Sequence, residues 1–136
     1  MIKIKNKGVV IIDFGSQYTK LIARRIRENM VYSEILSPQS DMYTIMKNDP
    51  AAIILSGGPK SVNDNTVSTY TELIFESNIP ILGICYGLQL MVKKHGGKID
   101  SEGSGEYGLA NVDIKNENIL FSGCKNTSKV WMSHGD

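Results

Sequence analysis

Ile79-Pro80-Ile81-Leu82-Gly83-Ile84-Cys85-Tyr86-Gly87-Leu88-Gln89-Leu90-Met91 is the stretch on which the fold turns. An apolar run of strand length, Ile81, Leu82 and Ile84, meets a cysteine set between two glycines. It continues as a mostly apolar helical segment, Leu88 to Val92. Gly83-x-Cys85-x-Gly87 has the spacing of the strand-to-helix nucleophile elbow, with sulfur in place of oxygen. Glycine on either side permits a turn tight enough to lift the side chain clear of the sheet. The helix that follows aims its first N–H groups and the positive end of its dipole at the sulfur, which favours a thiolate. Free cysteine is otherwise most often a small core hydrophobe. A merely packed thiol does not need glycine two residues away on both sides, so Cys85 reads as a nucleophile.

Upstream, strand and helix signals alternate. Gly8-Val9-Val10-Ile11-Ile12 is a continuous β-branched run, expected as a strand buried on both faces of a parallel sheet. Asp13 to Gln17 interrupts it. A helix from about Tyr18 to Glu28 follows, with Tyr18, Leu21, Ile22, Arg25 and Ile26 on one face and Lys20, Arg24, Arg27 and Glu28 on the other. Val31 to Leu36 reads as a second strand, closed by Ser37-Pro38. A short helix is expected around Asp41 to Lys47, capped by Asp41 or Ser40. Ala51 to Leu55 is a third buried strand, ending in Ser56-Gly57-Gly58-Pro59. A helix from roughly Thr66 to Ser77 leads into the elbow strand. Right-handed crossovers then give a flavodoxin-like, doubly wound α/β sheet with helices on both faces. In such a sheet Asp13 to Gln17, Ser56 to Pro59 and Cys85 all fall at the carboxyl ends of strands, where functional groups collect.

After His95-Gly96-Gly97 the texture changes. Lys98-Ile99-Asp100 looks like a short edge strand and Ser101 to Gly105 like a turn. Leu109 to Ile114, Ile119 to Phe121 and Ser128 to Met132 alternate in short pieces, as antiparallel strands do. Composition is that of a globular domain: 136 residues, 41% hydrophobic and 21% charged. A net charge of +1 gives no reason to expect nucleic acid or an anionic membrane as partner. Two cysteines, Cys85 and Cys124, are too few for a disulfide scaffold, and His95 and His134 lack metal-ligand spacing. With no signal-peptide pattern at the start, a cytoplasmic setting is expected.

A thiolate attacking an amide builds a tetrahedral oxyanion, which two backbone N–H groups in a dry site stabilise. Tyr86, opening the elbow helix, offers one. Ser56-Gly57-Gly58-Pro59 offers the other, since glycine lets the backbone approach a ligand closely, although an isolated Gly-Gly-Pro is more often a plain tight turn. Gly58-Pro59-Lys60-Ser61 echoes the end of a phosphate loop, but proline separates glycine from lysine and the upstream glycine is missing. The chemistry also needs a base, typically a histidine oriented by a carboxylate. His95 lies about ten residues along the helix, roughly 15 Å away. His134 stands in a loop-like segment, and spacing leaves three roles open for it: base, pocket residue or surface residue. Cys124 has no elbow and no helix behind it.

With Ser56-Gly57-Gly58-Pro59 upstream, Gly83-Ile84-Cys85-Tyr86-Gly87-Leu88-Gln89 resembles the class I, triad-type glutamine amidotransferases. Asp13-Phe14-Gly15-Ser16-Gln17-Tyr18, Leu21-Ile22-Ala23-Arg24-Arg25, Glu106-Tyr107-Gly108 and Val130 to Asp136 narrow the resemblance to members that make a purine nucleotide. It extends from Gly8 to the last residue. The resemblance implies hydrolysis of glutamine through a γ-glutamyl thioester on Cys85, with the oxyanion held by the N–H groups of Gly58 and Tyr86. It places Gly57, Gln89, Ser133, His134, Gly135 and Asp136 around the glutamine, and so moves His134 from the base to the pocket. It implies no cofactor or metal in this domain. Ammonia would pass to an ATP- and magnesium-dependent synthetase domain (an ATP pyrophosphatase) of a longer chain, which converts XMP to GMP through an adenylated intermediate. A further domain would make that chain a homodimer.

One departure from the family pattern is large. The family's catalytic histidine and glutamate stand in a His-Pro-Glu segment, and no such segment occurs here. The expectation is therefore a partial amidotransferase domain over residues 1–136, incomplete at its carboxyl end and nearly inactive alone. Two other classes compete. One is a different cysteine-elbow enzyme of DJ-1-like type, which would need a histidine near the elbow. The other is a non-enzymatic glutamine-binding or partner-docking module.

Overall fold

Four short runs of aliphatic residues pair in parallel, and their register brings four chain reversals to one edge. The computed structural model describes residues 7–58, 69–100, 106–116 and 118–134. The chain divides into two units, Met1–Ile99 and Asp100–Asp136. In the first, β1 (Val9–Ile12), α1 (Thr19–Glu28), β2 (Ser33–Leu36), α2 (Met42–Met46), β3 (Ala52–Leu55), α3 (Thr69–Ile74), β4 (Ile81–Gly83) and α4 (Tyr86–Lys94) alternate. The strand order is β2-β1-β3-β4, all parallel, as expected for a doubly wound sheet. Ile12 stands level with Leu36 and Leu55, and Leu55 with Gly83, so the strands end together. Strand order reverses between β1 and β3, the place where such sheets open a crevice for ligands.

Alternation along the strands divides the core in two. Val10, Ile12, Ile53 and Leu55 face Ile45 of α2 and Ile74 of α3, with Met91 of α4 packed alongside. Ile11 and Ile54 face Ala23 of α1, flanked by Ile22 and Ile26. Helices thus cover both faces. Among the described residues no helix is long and apolar enough to cross a membrane.

The face α1 presents to the sheet is rotated from the expected one. Thr19, Ile22, Ala23 and Ile26 turn inward, while Tyr18, Leu21 and Arg25 are exposed. A buried threonine hydroxyl sets this orientation through hydrogen bonds to Asp13 and Ser56. Two further expectations change, and others fall on residues that are not described. Lys98-Ile99-Asp100 is not a strand; Ile99 packs instead against Tyr86 and Leu90. Thr66 to Ser68, Pro59 to Ser61 and Ser101 to Gly105 lie outside the described residues. Ile119–Phe121 is a single 3-10 turn, because the Asn118 side chain accepts from the Phe121 N–H and closes it locally.

The second unit is a hairpin. β5 (Glu106–Asp113) and β6 (Thr127–His134) pair antiparallel over eight positions, from Glu106 opposite His134 to Asp113 opposite Thr127.

Asp41 caps α2 by accepting from the Thr44 N–H at 2.8 Å, and that bond holds its carboxyl below the usual value. A depressed carboxyl contributes stability above its unfolded value of 3.8, lost as pH falls through the folded one. Asp41→Ala should therefore lower the melting temperature at pH 7 and converge on the native chain in strong acid. A pH-independent difference in thermal unfolding would rule out the ionised cap.

Candidate active site

Cys85 is the sharpest local feature of the chain. It has φ 51° and ψ −115°, a conformation that residues with a side chain rarely adopt and that costs about 1–3 kcal/mol. The strain is held from outside the turn. The Ile84 N–H donates to the Leu55 carbonyl at 2.9 Å, and the Gly87 N–H to the Ser56 carbonyl at 3.1 Å, so the end of β3 and the residue after it clamp the elbow on both sides of the cysteine. Within the turn, Gly87 N–H also reaches the Ile84 carbonyl at 3.0 Å. The outcome is an exposed thiol at the start of α4.

Both elbow glycines are required by packing. A Cβ on Gly87 would lie 2.1 Å from the Leu55 carbonyl oxygen, and one on Gly83 2.6 Å from the backbone of Leu88. Helix α4 therefore rests directly on the ends of β3 and β4.

The loops after β1 and β3 meet Cys85 as the strand ends predict. A Cβ on Gly57 would lie 3.2 Å from the Cys85 Cβ and 3.8 Å from the Ser16 Cβ. One on Gly58 would lie 2.3 Å from the Phe14 carbonyl oxygen. The rings of Phe14 and Tyr86 tilt together at 5.1 Å, joining the first loop to the elbow helix. Gln89 is one turn beyond Cys85 on α4, partly buried, its N–H donating to the Cys85 carbonyl at 3.0 Å.

His95 ends α4 with its ring edge-on to Phe75 at 6.3 Å, at the opposite end of the helix from Cys85. Ser133 and His134 lie on β6 of the second unit, opposite Tyr107 and Glu106, with Ser133 exposed. Gly135 and Asp136 fall outside the described residues. Cys124 is exposed on the turn after Phe121. Among the described residues, no cluster of three His, Cys, Asp or Glu could hold a metal ion.

Thr19 was not singled out in the sequence, and Ser56 was named there only as part of its loop. Thr19 and Ser56, 1% and 0% exposed, link the first and third loops through their hydroxyls. The available signal was a threonine at i with Ile22, Ala23 and Ile26 at i+3, i+4 and i+7, a hydroxyl on the apolar side of a helix.

Residues 10–136 match the model of the class-I glutamine amidotransferase family. The chain is 48% identical over 134 residues to the glutamine-hydrolyzing GMP synthase of Synechocystis sp., covering 98% of this chain and 25% of that one. It is 50% identical over 136 residues to the glutamine-hydrolyzing GMP synthase of Bacillus licheniformis, covering 100% and 26%. The chain thus spans about a quarter of the length of the curated relatives it matches. Among solved structures, a provisional GMP synthase subunit from Thermoplasma acidophilum superposes with a TM-score of 0.79 at 25% identity, over 94% of this chain and 64% of that one. A glutamine amidotransferase from Thermotoga maritima gives 0.73 at 21% identity over 96% and 61%, a likeness of fold.

Proposed function

Because the chain belongs to the class-I glutamine amidotransferases, we propose that it is the glutamine-hydrolysing part of a GMP synthase, with Cys85 as its nucleophile. The observation that carries this reading is the strained elbow at Cys85 with the Gly57 backbone against it. A protein retains about 1–3 kcal/mol of local backbone strain where the surroundings impose it, and such strain clusters at reacting groups.

In this reading the Cys85 sulfur attacks the carboxamide carbon of glutamine, forming a C–S bond and placing negative charge on the oxygen. The backbone N–H groups of Gly58 and Tyr86 receive that charge, and Gly57 and Gln89 contribute to the pocket. Collapse breaks the C–N bond; the nitrogen leaves as ammonia after gaining a proton. Water then cleaves the thioester, releasing glutamate and the thiol. Residues 1–99 contain one histidine, His95, and it stands at the far end of α4. The acid–base pair therefore comes from outside this unit, as the family's His-Pro-Glu segment would supply. By the family resemblance, Ser133, His134, Gly135 and Asp136 are proposed to bind glutamine as well. In the longer protein an ATP- and magnesium-dependent synthetase domain uses the ammonia to convert XMP to GMP, within a cytoplasmic homodimer.

The two exposed cysteines make the test internally controlled. The chloromethyl ketone analogue of glutamine should attach once, at Cys85, and excess glutamine should protect that site. Iodoacetamide should modify both thiols. Equal attachment of the ketone to Cys124, or no protection by glutamine, would refute the assignment.

A further inference from the structure

A continuous chain of hydroxyls runs beneath the loop that carries Gly57 and Gly58. Thr19 Oγ1 has one proton and three acceptors in reach: Asp13 Oδ1 at 2.9 Å, the Ser16 carbonyl at 3.2 Å and Ser56 Oγ at 3.3 Å. The hydroxyl donates in a multi-centre bond, chiefly to the carboxylate, which is the closest and the charged acceptor, and also to Ser56 Oγ. Ser56 Oγ accepts from the Phe14 N–H at 3.2 Å. With Thr19 donating to it as well, its own proton goes to the Gly57 carbonyl at 3.1 Å. Both hydroxyls are almost fully buried, so water does not compete for these bonds.

The Gly57 carbonyl and the Gly58 N–H belong to one peptide unit. No described peptide bond is cis, so the two groups point in opposite directions. Holding the carbonyl down on Ser56 turns the Gly58 N–H to the other side. A peptide between two glycines has little steric preference of its own for either orientation. We propose that Ser56, itself oriented by Thr19 and Asp13, is a positioning residue that selects the orientation in which the Gly58 N–H faces the substrate oxygen. This inference rests on the reading of Gly58 as an oxyanion donor, and it adds a second layer to that site. Ser56 and Thr19 touch neither substrate nor sulfur; they act through the Gly57–Gly58 peptide.

The test compares two reagents on this chain. Attack on the chloromethyl ketone of glutamine passes through a tetrahedral oxyanion, whereas iodoacetamide reacts by direct displacement at carbon and needs no oxyanion donor. Ser56→Ala should lower the limiting rate of ketone inactivation roughly 10- to 100-fold, with the half-saturating concentration and the iodoacetamide rate at Cys85 unchanged. Thr19→Val should act in the same direction and Thr19→Ser should restore the rate, which separates loss of the hydroxyl from loss of the fold. Parallel slowing of both reagents, no slowing of either, or failure of Thr19→Ser to rescue would each overturn the proposal. If the native chain itself shows no saturable reaction with the ketone, the glutamine-site reading fails first, and that outcome is visible before any variant is made.

Discussion

Cys85→Gly should give a chain that melts above the native one and takes no label from a glutamine-derived electrophile. Relief of the φ 51°, ψ −115° conformation recovers about 1–3 kcal/mol, since glycine adopts that region freely. The added freedom of the unfolded chain gives back about 0.4–1 kcal/mol. The thiol is exposed, so little burial is lost. The net gain is about 1 kcal/mol, or a few degrees for a domain of this size. Cys85→Ala removes the sulfur without relieving the backbone and should melt as the native chain does. In a longer chain that carries the proposed synthetase domain, either variant should abolish amination from glutamine and leave amination from free ammonia intact. Scanning calorimetry and the two amination assays check both halves. A Cys85→Gly chain no more stable than Cys85→Ala would show that the elbow is unstrained; loss of the ammonia-dependent reaction would show that Cys85 does more than hydrolyse glutamine.

Gly87→Ala should be the most damaging single methyl in the first unit. The new carbon would start 2.1 Å from the Leu55 oxygen and 2.6 Å from the Leu55 carbonyl carbon, atoms of a buried strand that cannot rotate away. Helix α4 would have to retreat by about 1 Å, at a cost of roughly 3 kcal/mol or more. The gain in helix propensity, about 1 kcal/mol, does not offset that. Gly96→Ala is the matched control. It has nothing within 4 Å and only its φ of 83° to oppose a side chain, so it should lose about 1 kcal/mol. Melting temperatures close to native for Gly87→Ala would mean that α4 does not rest on β3 as described.

The parallel sheet was legible because Val9–Ile12 and Ala52–Leu55 are nearly continuous β-branched or aliphatic runs, which is what burial on both faces demands. The elbow was legible because a turn so tight leaves few choices at Gly83 and Gly87. The face of α1 was misread because Leu21 and Tyr18 carry more apolar weight than Thr19, and a pattern of hydropathy cannot register a hydroxyl buried for its hydrogen bonds. Lys98 to Asp100 alternates like a strand, but Ile99 finds its apolar contact with Tyr86 and Leu90 instead. Ile119–Phe121 shows the same limit: a single Asn118 cap outweighs three strand-favouring residues. At the site, Cys85 was read from spacing, and Gly57 from its place at a strand end and from the family resemblance. The contact between Ser56 and Thr19 was not legible, since the two are 37 residues apart and only the pairing of β1 with β3 brings them together.

Two of the bonds that hold the elbow come from outside the turn, from Leu55 at the end of β3 and from Ser56 just beyond it. A newly made polypeptide whose fourth strand has not yet docked lacks those bonds, so nothing outside the turn would hold Cys85 in that geometry. On the proposed reading, selectivity for a glutamine-like electrophile would emerge only when strand pairing is finished. The rate of that labelling is consequently a gauge of maturation, able to count correctly assembled molecules in a mixture where every molecule carries the same thiol.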